Sequence, residues 1–269
     1  MNTGRCFRQD LDLPDVPLRD DAERRLVAGL LRSLQRPDAV VEHVVVGPMF
    51  VAVTAGKSTG LASLLGTRAR AAESELGASL VGRPAAEAAA LLTSDSRFSV
   101  GVGLAALNAA NAPTAHAIAA ADAPAEALIA KLGRGKTVGL VGEFPFAESL
   151  REQVGDLKLF ELRDVPGAVA RECWDAVLAD LDVLAVTGTA LLTRKLGFFL
   201  AQAARAVAVV LGPSTPLSPS LFDCGADYLC GSLVTDPDQV IAGVTDGLPF
   251  HTMRRQGGIR LVQLSRPPD

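Results

Sequence analysis

Short apolar segments alternate with helical patterns in the second half of the chain, and this alternation constrains the fold more than any other feature of the sequence. Helical patterns lie between successive apolar segments, at 146–154, 168–178, 191–204 and 219–224, and another follows the last of them, at 237–244. Strands that alternate with helices form a parallel sheet that is covered by helices on both faces. The sequence therefore predicts an α/β domain whose strands are 137–141, 157–162, 183–186, 206–211 and 228–230.

The first half has a different pattern. Asp20–Leu34 carries apolar residues at a spacing that gives one apolar helix face. Two apolar segments, Val40–Val46 and Phe50–Thr54, are bounded by turn residues and indicate a β-meander. Helical patterns then continue to Val100–Asn111, which must end before Pro113 because proline disrupts a helix. This half is predicted to be a small α+β domain.

The segment that joins the two halves, 112–135, is rich in alanine, proline and glycine, as connections between domains often are. It contains one helical piece, Pro124–Leu132, and proline suits the first position of a helix. We therefore expect an α+β domain at 16–118 and an α/β domain at 119–263.

The composition argues against several classes of function. A formal net charge of −4 and only 4% aromatic residues do not suit a nucleic-acid surface. No apolar run is long enough to span a bilayer, and Met1–Asp15 lacks the apolar core of a signal peptide. The four cysteines are scattered without a paired framework, which favours free thiols in a reducing compartment. We expect a cytoplasmic protein that has neither a nucleic-acid nor a membrane partner.

Three loops that follow predicted strands of the second half share an unusual composition. Each combines a glycine with polar or rigid neighbours: Gly142–Pro145, Thr187–Thr189 and Gly212–Pro216. Ligands of parallel sheets bind outside the carboxyl ends of the strands, which is where these loops lie. Glycine lets the backbone approach a ligand, and free amides at a helix start favour an anion. The hydroxyls of Thr189 and Ser214 offer further hydrogen bonds.

Each loop taken alone also has a structural interpretation. Thr189 can cap the helix that follows it, and Pro213 and Pro216 can stiffen a turn. The convergence of three such loops on one sheet edge favours a ligand site. The site does not resemble a dinucleotide site, because Gly139-x-x-Gly142 lacks the full glycine spacing of that fingerprint.

Three further polar residues are candidates for the same site. Glu143 follows the first strand of the α/β half and Glu161 ends the second, so either carboxylate can bind a hydroxyl, an amine or a metal. The alternative for each is an ordinary solvated or ion-paired edge residue. Asn108 lies inside an apolar helix, where its amide needs partners. It either bonds near the helix end or points into a cleft between the domains.

Metal ligands do not cluster in the sequence. His43, His116 and His251 are widely separated, and Cys224 and Cys230 are too far apart for close-paired zinc spacing. A soft metal would need clustered thiolates or imidazoles. The sequence therefore assigns neither protein metal ligands nor catalytic residues.

Several stretches resemble the putative heavy-metal chelation family of bacteria and archaea. In the first half they are VEHVVVGPMFVAV, STGLAS and VGVGLAALNAAN. In the second half they are VGLVGEFPF, FELRD, VTGTALLT and VLGPSTPLSPSLFDCGADYLCGSLVTD. Together they cover most of residues 38–245, and the glycine-proline-serine-threonine-proline loop is the most specific of these features.

This resemblance implies an enolase-like N-terminal domain and a Rossmann-like C-terminal domain with a ligand site in the cleft between them. It does not imply enolase chemistry, because a fold does not determine a function. The implied cargo or cofactor is a transition or heavy metal ion. The residues at matching positions are Asn108, Gly142, Pro145, Glu161, Thr187, Gly188, Thr189, Gly212, Pro213, Ser214 and Thr215.

The sequence departs from the family just after the threonine-rich loop. The family often has an asparagine and a threonine where this chain has Thr193 and Lys195. Lys195 adds a cation, which favours an acidic ligand if it faces the site, and is otherwise a solvated helix residue.

Two functions from different classes remain open at this point. The first is a protein that binds a metal, or a small molecule that chelates a metal, in the interdomain cleft. The second is an enzyme that acts on a small anionic metabolite, with Glu143 or Glu161 as acid–base candidates. A third hypothesis is a sensor or scaffold that binds a ligand without turnover, which only kinetics would distinguish from the enzyme. We also expect self-association into a homo-oligomer, although the sequence indicates no interface.

Overall fold

The computed structural model describes residues 15–65, 71–111 and 124–267, which form two β-sheets with helices around them. The strands are β1 (Val41–Val46), β2 (Phe50–Ala55), β3 (Ser58–Ser63), β4 (Thr137–Val141), β5 (Asp156–Phe160), β6 (Val183–Thr187), β7 (Val207–Leu211), β8 (Tyr228–Val234) and β9 (Ile259–Ser265). The α-helices are α1 (Asp21–Arg32), α2 (Ala71–Leu80), α3 (Ala85–Ala89), α4 (Arg97–Ala110), α5 (Ala125–Leu132), α6 (Ala147–Arg151), α7 (Trp174–Ala179), α8 (Leu196–Gln202), α9 (Ser220–Asp223), α10 (Pro237–Thr245) and α11 (Phe250–Arg255). Short 3₁₀ helices lie at Ala90–Thr93, Arg171–Cys173 and Gly188–Leu191.

The small sheet is an antiparallel meander in the order β1-β2-β3, as the turn pattern predicts. A two-residue turn at Gly56 and Lys57 joins β2 to β3, and both residues have positive φ. That conformation matches the right-handed twist of the strands. The helix α4 packs on β2 and β3, and a Cβ on Gly60 would lie 2.1 Å from the carbonyl oxygen of Ala105. The absence of a side chain at Gly60 therefore allows the helix to approach the sheet closely.

The large sheet has the order β5-β4-β6-β7-β8-β9. The first five strands in this order are parallel, and β9 is antiparallel to β8. The predicted α/β class, with a small antiparallel sheet beside a mostly parallel one, is confirmed. The strand β9 was not predicted, because its sequence lies beyond the last expected helix and alternates only weakly between buried and exposed residues.

The two faces of the large sheet bury different sets of side chains. Val138 and Leu140 of β4 face a core that includes Ile129 of α5 and Leu150 of α6. Val141 of the same strand belongs to the opposite core, to which α7 and α8 contribute. Successive residues of a strand point to opposite faces, so a strand buried on both sides is apolar throughout. This explains the continuous apolar segments of the sequence.

The two halves of the chain interlock. The helix α1 packs against α8 and α9, and α10 packs against β1 and β2. Gly197 in α8 makes the first contact possible, since a Cβ there would lie 2.7 Å from the amide nitrogen of Glu23. The predicted division at 118/119 falls outside the described residues and stays a prediction.

Two predicted helices are wrong in extent. The helix expected at 168–178 starts with the 3₁₀ turn at Arg171, because Ala168 pairs with Leu159 of the sheet instead. The helix expected at 191–204 is replaced by a 3₁₀ helix and α8, which are separated at Arg194. Arg194 has a φ of 55°, and a left-handed residue cannot continue a right-handed helix.

No helix in the described ranges is both long enough and apolar enough to cross a membrane.

Candidate functional site

The order of the strands reverses between β4 and β6, where a doubly wound sheet is expected to have its crevice. The chain runs from β4 outward to β5, then returns past β4 to β6 and continues in the opposite direction. Ligands of doubly wound sheets bind at such a reversal, outside the carboxyl ends of the two strands. The loops that follow β4 and β6 begin with Gly142 and Thr187–Gly188. The structure therefore brings two of the three predicted loops to the expected ligand position.

These two loops touch at their first residues. Gly142 has a φ of 101°, and a Cβ at this position would lie 2.9 Å from Cγ2 of Thr187. A residue with a side chain would be strained by its backbone and would also collide with the threonine. Gly142 thus leaves the backbone uncovered at the start of this expected crevice.

The turn at Thr187–Thr189 carries two hydroxyls that are half-buried. Thr187 is the N-cap of the 3₁₀ helix Gly188–Leu191, and its Oγ1 accepts a hydrogen bond of 3.3 Å from the Thr189 amide. The Thr187 and Thr189 hydroxyl oxygens are 2.9 Å apart. The capping residue is therefore Thr187 and not Thr189. The Thr189 hydroxyl retains hydrogen-bonding capacity after this pairing, since a hydroxyl can donate once and accept twice.

The third predicted loop, Gly212–Pro216, has a different environment. Ser214 is fully buried, and its Oγ accepts a hydrogen bond of 2.9 Å from the Ser63 amide in the small sheet. Thr215 is also buried, and a Cβ on Gly188 would lie 2.6 Å from its amide nitrogen. The loop after β7 is wedged between the small sheet and the turn after β6. Its backbone packs against Gly188 and so restricts the position of that turn.

The two candidate carboxylates lie near each other at the ends of β4 and β5. Arg163 connects them: its guanidinium makes a 2.7 Å ion pair with Glu143 and its charge acts on Glu161. Burial raises the pKa of Glu161, and the repulsion from Glu143 adds to this shift, whereas Arg163 lowers it. The order of the strands accounts for the proximity, because β4 and β5 are hydrogen-bonded neighbours. Glu143 itself is exposed.

A concavity of about 340 Å³ opens beside Glu161. Its lining includes Arg163, Asp164 and Arg171, so it carries charges of both signs. The guanidinium of Arg171 donates to the Leu162 carbonyl and lies over the ring of Trp174, 5.9 Å from its centre. The volume suits a small metabolite. Sequence reasoning missed both arginines, although the polar loop 161–171 after a predicted strand is a usable signal.

Asn108 lies away from this concavity. Its Nδ2 donates a 3.0 Å hydrogen bond to the Leu61 carbonyl of β3. It lines a second and much smaller cavity, of about 10 Å³, with Asn111 and Thr215. Asn108 is thus near the contact between the two halves of the chain, but not near Glu143 or Glu161.

The described side chains do not offer a protein site for a soft metal. Among residues 15–65, 71–111 and 124–267, no three His, Cys, Asp or Glu side chains form a group that could hold a metal ion. Burial raises the pKa of Cys230 to about 12, which keeps it a thiol and not the thiolate that binds metals. Burial also raises the pKa of Cys224. His43 and His251 are exposed, while His116 and Cys6 fall on residues outside the description.

Thr193 and Lys195, at which the sequence is expected to depart from the family, both lie near the turn after β6. Thr193 is buried, and its Oγ1 donates to the Ala190 carbonyl at 3.2 Å. The ammonium group of Lys195 lies 4.9 Å from the centre of the Phe198 ring. This cation–π contact directs Lys195 towards a side chain of its own helix. Arg194, which lies between these two residues, contacts the first half of the chain. Its guanidinium donates a hydrogen bond to the Ser94 carbonyl.

Two solved structures share this fold. A protein of unknown function from Desulfitobacterium hafniense has a TM-score of 0.81 and 24% identity, and the match covers 91% of this chain and 100% of that one. A protein of unknown function from Pyrococcus horikoshii has a TM-score of 0.69 and 15% identity, over 90% of this chain and 100% of that one. At these identities the likeness establishes the fold alone. No curated protein matches the chain significantly.

Two family models cover most of the chain. Residues 126–263 match one and residues 29–111 match the other, and both carry the description "putative heavy-metal chelation". The first match alone spans β4 to β8 and most of β9. The two structural neighbours are described as members of the family that residues 126–263 match. The resemblance seen in the sequence is therefore confirmed, and the chain belongs to the family described as "putative heavy-metal chelation".

Proposed function

We propose that this protein binds a small anionic molecule that chelates a metal ion, in the cleft at the carboxyl ends of β4 and β6. The observation that carries the proposal is the contact of Gly142 with Thr187 at the reversal of strand order. The concavity lined by Glu161 follows the neighbouring strand β5, which pairs with β4. Backbone that is open at such a reversal is where doubly wound sheets hold their ligands. The family description supports a role in metal handling.

A chelated metal suits the residues better than a bare ion. A soft metal bound by protein alone needs several thiolates or imidazoles in one place, and the described residues supply no such group. A chelating metabolite brings its own oxygen or nitrogen ligands. The protein then needs only to recognise the outside of the chelate, which hydroxyls, amides and arginines can do.

Each part of the cleft has a distinct part in this recognition. The hydroxyls of Thr187 and Thr189 supply directional hydrogen bonds at the centre of the crevice. Arg163 and Arg171 supply positive charge beside it, and Glu161 restricts the ligand to one that offers a donor or a cation there. Ser214 and Thr215 do not contact the ligand in this proposal; they hold the turn that carries the two threonines in position.

Equilibrium dialysis tests this proposal with defined probes. The protein is dialysed against Zn²⁺ or Ni²⁺ alone, and against the same ions with citrate as a model anionic chelator. We expect retention of metal only when the chelator is present. Retention of the bare ion to the same extent, or no retention in either arm, would contradict the proposal.

A matched pair of variants then locates the site. Thr189→Val removes one half-buried hydroxyl of the crevice, and we expect about five- to tenfold weaker retention of the chelate, the value of one hydrogen bond. Thr245→Val makes the same change in α10, where the hydroxyl is exposed and donates to the Ile241 carbonyl. This control variant should retain the chelate like the wild type. Equal retention by both variants would exclude the turn after β6 from the site.

One observation favours the alternative, an enzyme that acts on a small anionic metabolite. Burial raises the pKa of Glu161, and a carboxyl with a raised pKa is a candidate general acid or base. On this alternative, purified protein carries an organic molecule without metal. Its conversion to product would be lost in Glu161→Gln and kept in Glu148→Gln, which changes an exposed carboxylate of α6.

A further inference from the structure

The cavity of about 10 Å³ lies where the two halves of the chain meet. One side is formed by β3 and the end of α4, which contributes Asn108 and Asn111. The other side is formed by β8 and by Thr215 of the loop after β7. Asn111 and Thr215 are each 2% exposed, so both are sealed from solvent. The volume is that of a single water-sized molecule.

Three buried polar atoms of residues that line this cavity lack a hydrogen-bond partner among the described residues: Asn108 Oδ1, Asn111 Nδ2 and Thr215 Oγ1. Buried polar atoms are rarely left in this state, because they lose their hydrogen bonds to water without replacement. All three belong to residues that line the same cavity, and these residues come from both halves of the chain. Their shared location indicates a common partner.

Each asparagine side chain already uses one atom of its amide in a hydrogen bond, and the other atom is the one left without a partner. The Oδ1 of Asn111 accepts a 2.9 Å hydrogen bond from the Gln35 amide, so its Nδ2 donors remain. The Nδ2 of Asn108 donates a 3.0 Å hydrogen bond to the Leu61 carbonyl, so its Oδ1 acceptor remains. The unpartnered atoms therefore comprise one amide donor, one amide acceptor and a hydroxyl that can act as either. The cavity is also lined by Thr59, whose hydroxyl is paired with that of Thr54, and by Ser232, whose hydroxyl donates to the Pro213 carbonyl.

The combination of one donor, one acceptor and one hydroxyl determines which molecule can bind in the cavity. A metal cation is disfavoured by the Asn111 donor and by the lack of a carboxylate in the lining, and an anion is disfavoured by the Asn108 acceptor. A water molecule accepts from Asn111, donates to Asn108, and uses its second hydrogen or lone pair for Thr215. Buried waters typically make about three such bonds. A larger polar molecule does not fit the volume.

We infer that the cavity holds one ordered water molecule, bound by Asn108, Asn111 and Thr215, which joins the two halves of the chain. This role is separate from the proposed ligand site, although the two are connected through Thr215. The Thr215 backbone lies directly behind Gly188, so the water helps to fix the turn that carries Thr187 and Thr189. Loss of this water should increase the mobility of that turn and weaken the contact between the two halves of the chain.

A crystal structure of the full chain at about 1.5 Å resolution, together with water ¹⁷O relaxation dispersion in solution, tests the inference. We expect a fully occupied water within about 3 Å of all three atoms, and one long-lived buried water in the relaxation data that Thr215→Val removes. The same substitution at Thr193, which is buried but outside the cavity and bonded to Ala190, should leave this water in place. Thr215→Val should also lower Tm by about 2–4 °C.

Other outcomes would overturn the inference. One is direct hydrogen bonding among the three side chains with no density between them. Another is a water that keeps its occupancy and its residence time in folded Thr215→Val protein. If that variant does not fold, the wild-type structure and its relaxation data decide alone: density at the three atoms that is not a single water would contradict the proposal.

Discussion

The loops after β6 and β7 look alike in the sequence and differ in the structure. Both combine glycine with hydroxyl residues at the carboxyl end of a buried strand. In the first, the Thr187 and Thr189 hydroxyls are half-buried and bond to each other. In the second, Ser214 is fully buried and binds the Ser63 amide of the other sheet. Position in the strand order, and not composition, decides which loop is half-buried and which joins the halves of the chain.

This difference assigns separate effects to substitutions in the two loops. We call the contact between the two halves of the chain the joint; it includes Ser214 and the helix α1. Substitutions in the joint should lower the free energy of unfolding. Changes to the Thr187–Thr189 turn should alter ligand retention and leave stability almost unchanged.

The largest effect on stability is expected at Glu23, a fully buried carboxyl in the joint. Burial raises its pKa from 4.5 to about 7, against the opposing effects of the Gly197 amide and of Arg194 and Lys195. Asp20 adds to the rise. Because the unfolded chain releases this proton first, the free energy of unfolding should fall by about 3 kcal/mol as the pH rises from 4.5 through 7.

Glu23→Gln isolates this effect, because the glutamine cannot ionise and its oxygen can still accept from the Gly197 amide. Urea unfolding of the variant and the wild type should be compared at pH 5 and pH 8. The wild type should lose stability relative to the variant between these two values. An equal change in both proteins would show that Glu23 does not ionise in this range.

The next effect is expected at Gly188, where the two loops touch. Gly188→Ala places a Cβ 2.6 Å from the backbone of Thr215, so one loop must shift, at about 2–3 kcal/mol of unfolding free energy. Gly29→Ala is the matched control, because its Cβ would meet only Ser220 Cβ at an ordinary 3.6 Å. The control should be neutral or slightly stabilising, as alanine favours a helix. Similar destabilisation by both changes would argue against close packing of the loops.

A smaller effect is expected from Ser214→Ala. The change removes the acceptor of the Ser63 amide and should lower the free energy of unfolding by about 1–2 kcal/mol. Chelate retention at a temperature where the variant is folded should stay close to wild type. A loss of retention without a loss of stability would mean that Ser214 belongs to the ligand site.

The smallest effect on stability is expected from Thr189→Val. The hydroxyl it removes is half-buried and bonds to another hydroxyl, so unfolding should change by less than about 0.5 kcal/mol. Weaker chelate retention at unchanged stability would complete the contrast with Ser214→Ala. Destabilisation as large as that of Ser214→Ala would remove the contrast between the loops.

The sequence predicted the features that depend on local patterns. The alternation of apolar and helical segments gave the α/β class, and β4, β6 and β7 lie close to their expected positions. The break at Arg194 was missed, because it requires a left-handed residue that no local pattern indicates. The strand β9 was missed because its pairing with β8 is set by the edge of a sheet already formed.

The candidate site was predictable to the extent that it depends on strand ends. Glu143 and Glu161 were expected at one sheet edge, and they interact there. The ion pair of Arg163 was not expected, because it depends on a partner 20 residues away. The burial of Ser214 depends on Ser63, 151 residues away in the other sheet. Such contacts are consequences of the assembled fold, so the hydroxyls of Ser214 and Thr189 could not be distinguished beforehand.

Native mass spectrometry with elemental analysis of freshly purified protein tests the central claim most directly. The account predicts an added mass that contains both an organic anion and one equivalent of a metal, and Thr189→Val protein should carry less of it than Thr245→Val protein. An added mass equal to a bare metal ion, present equally in both variants, would contradict a chelate bound at the turn after β6.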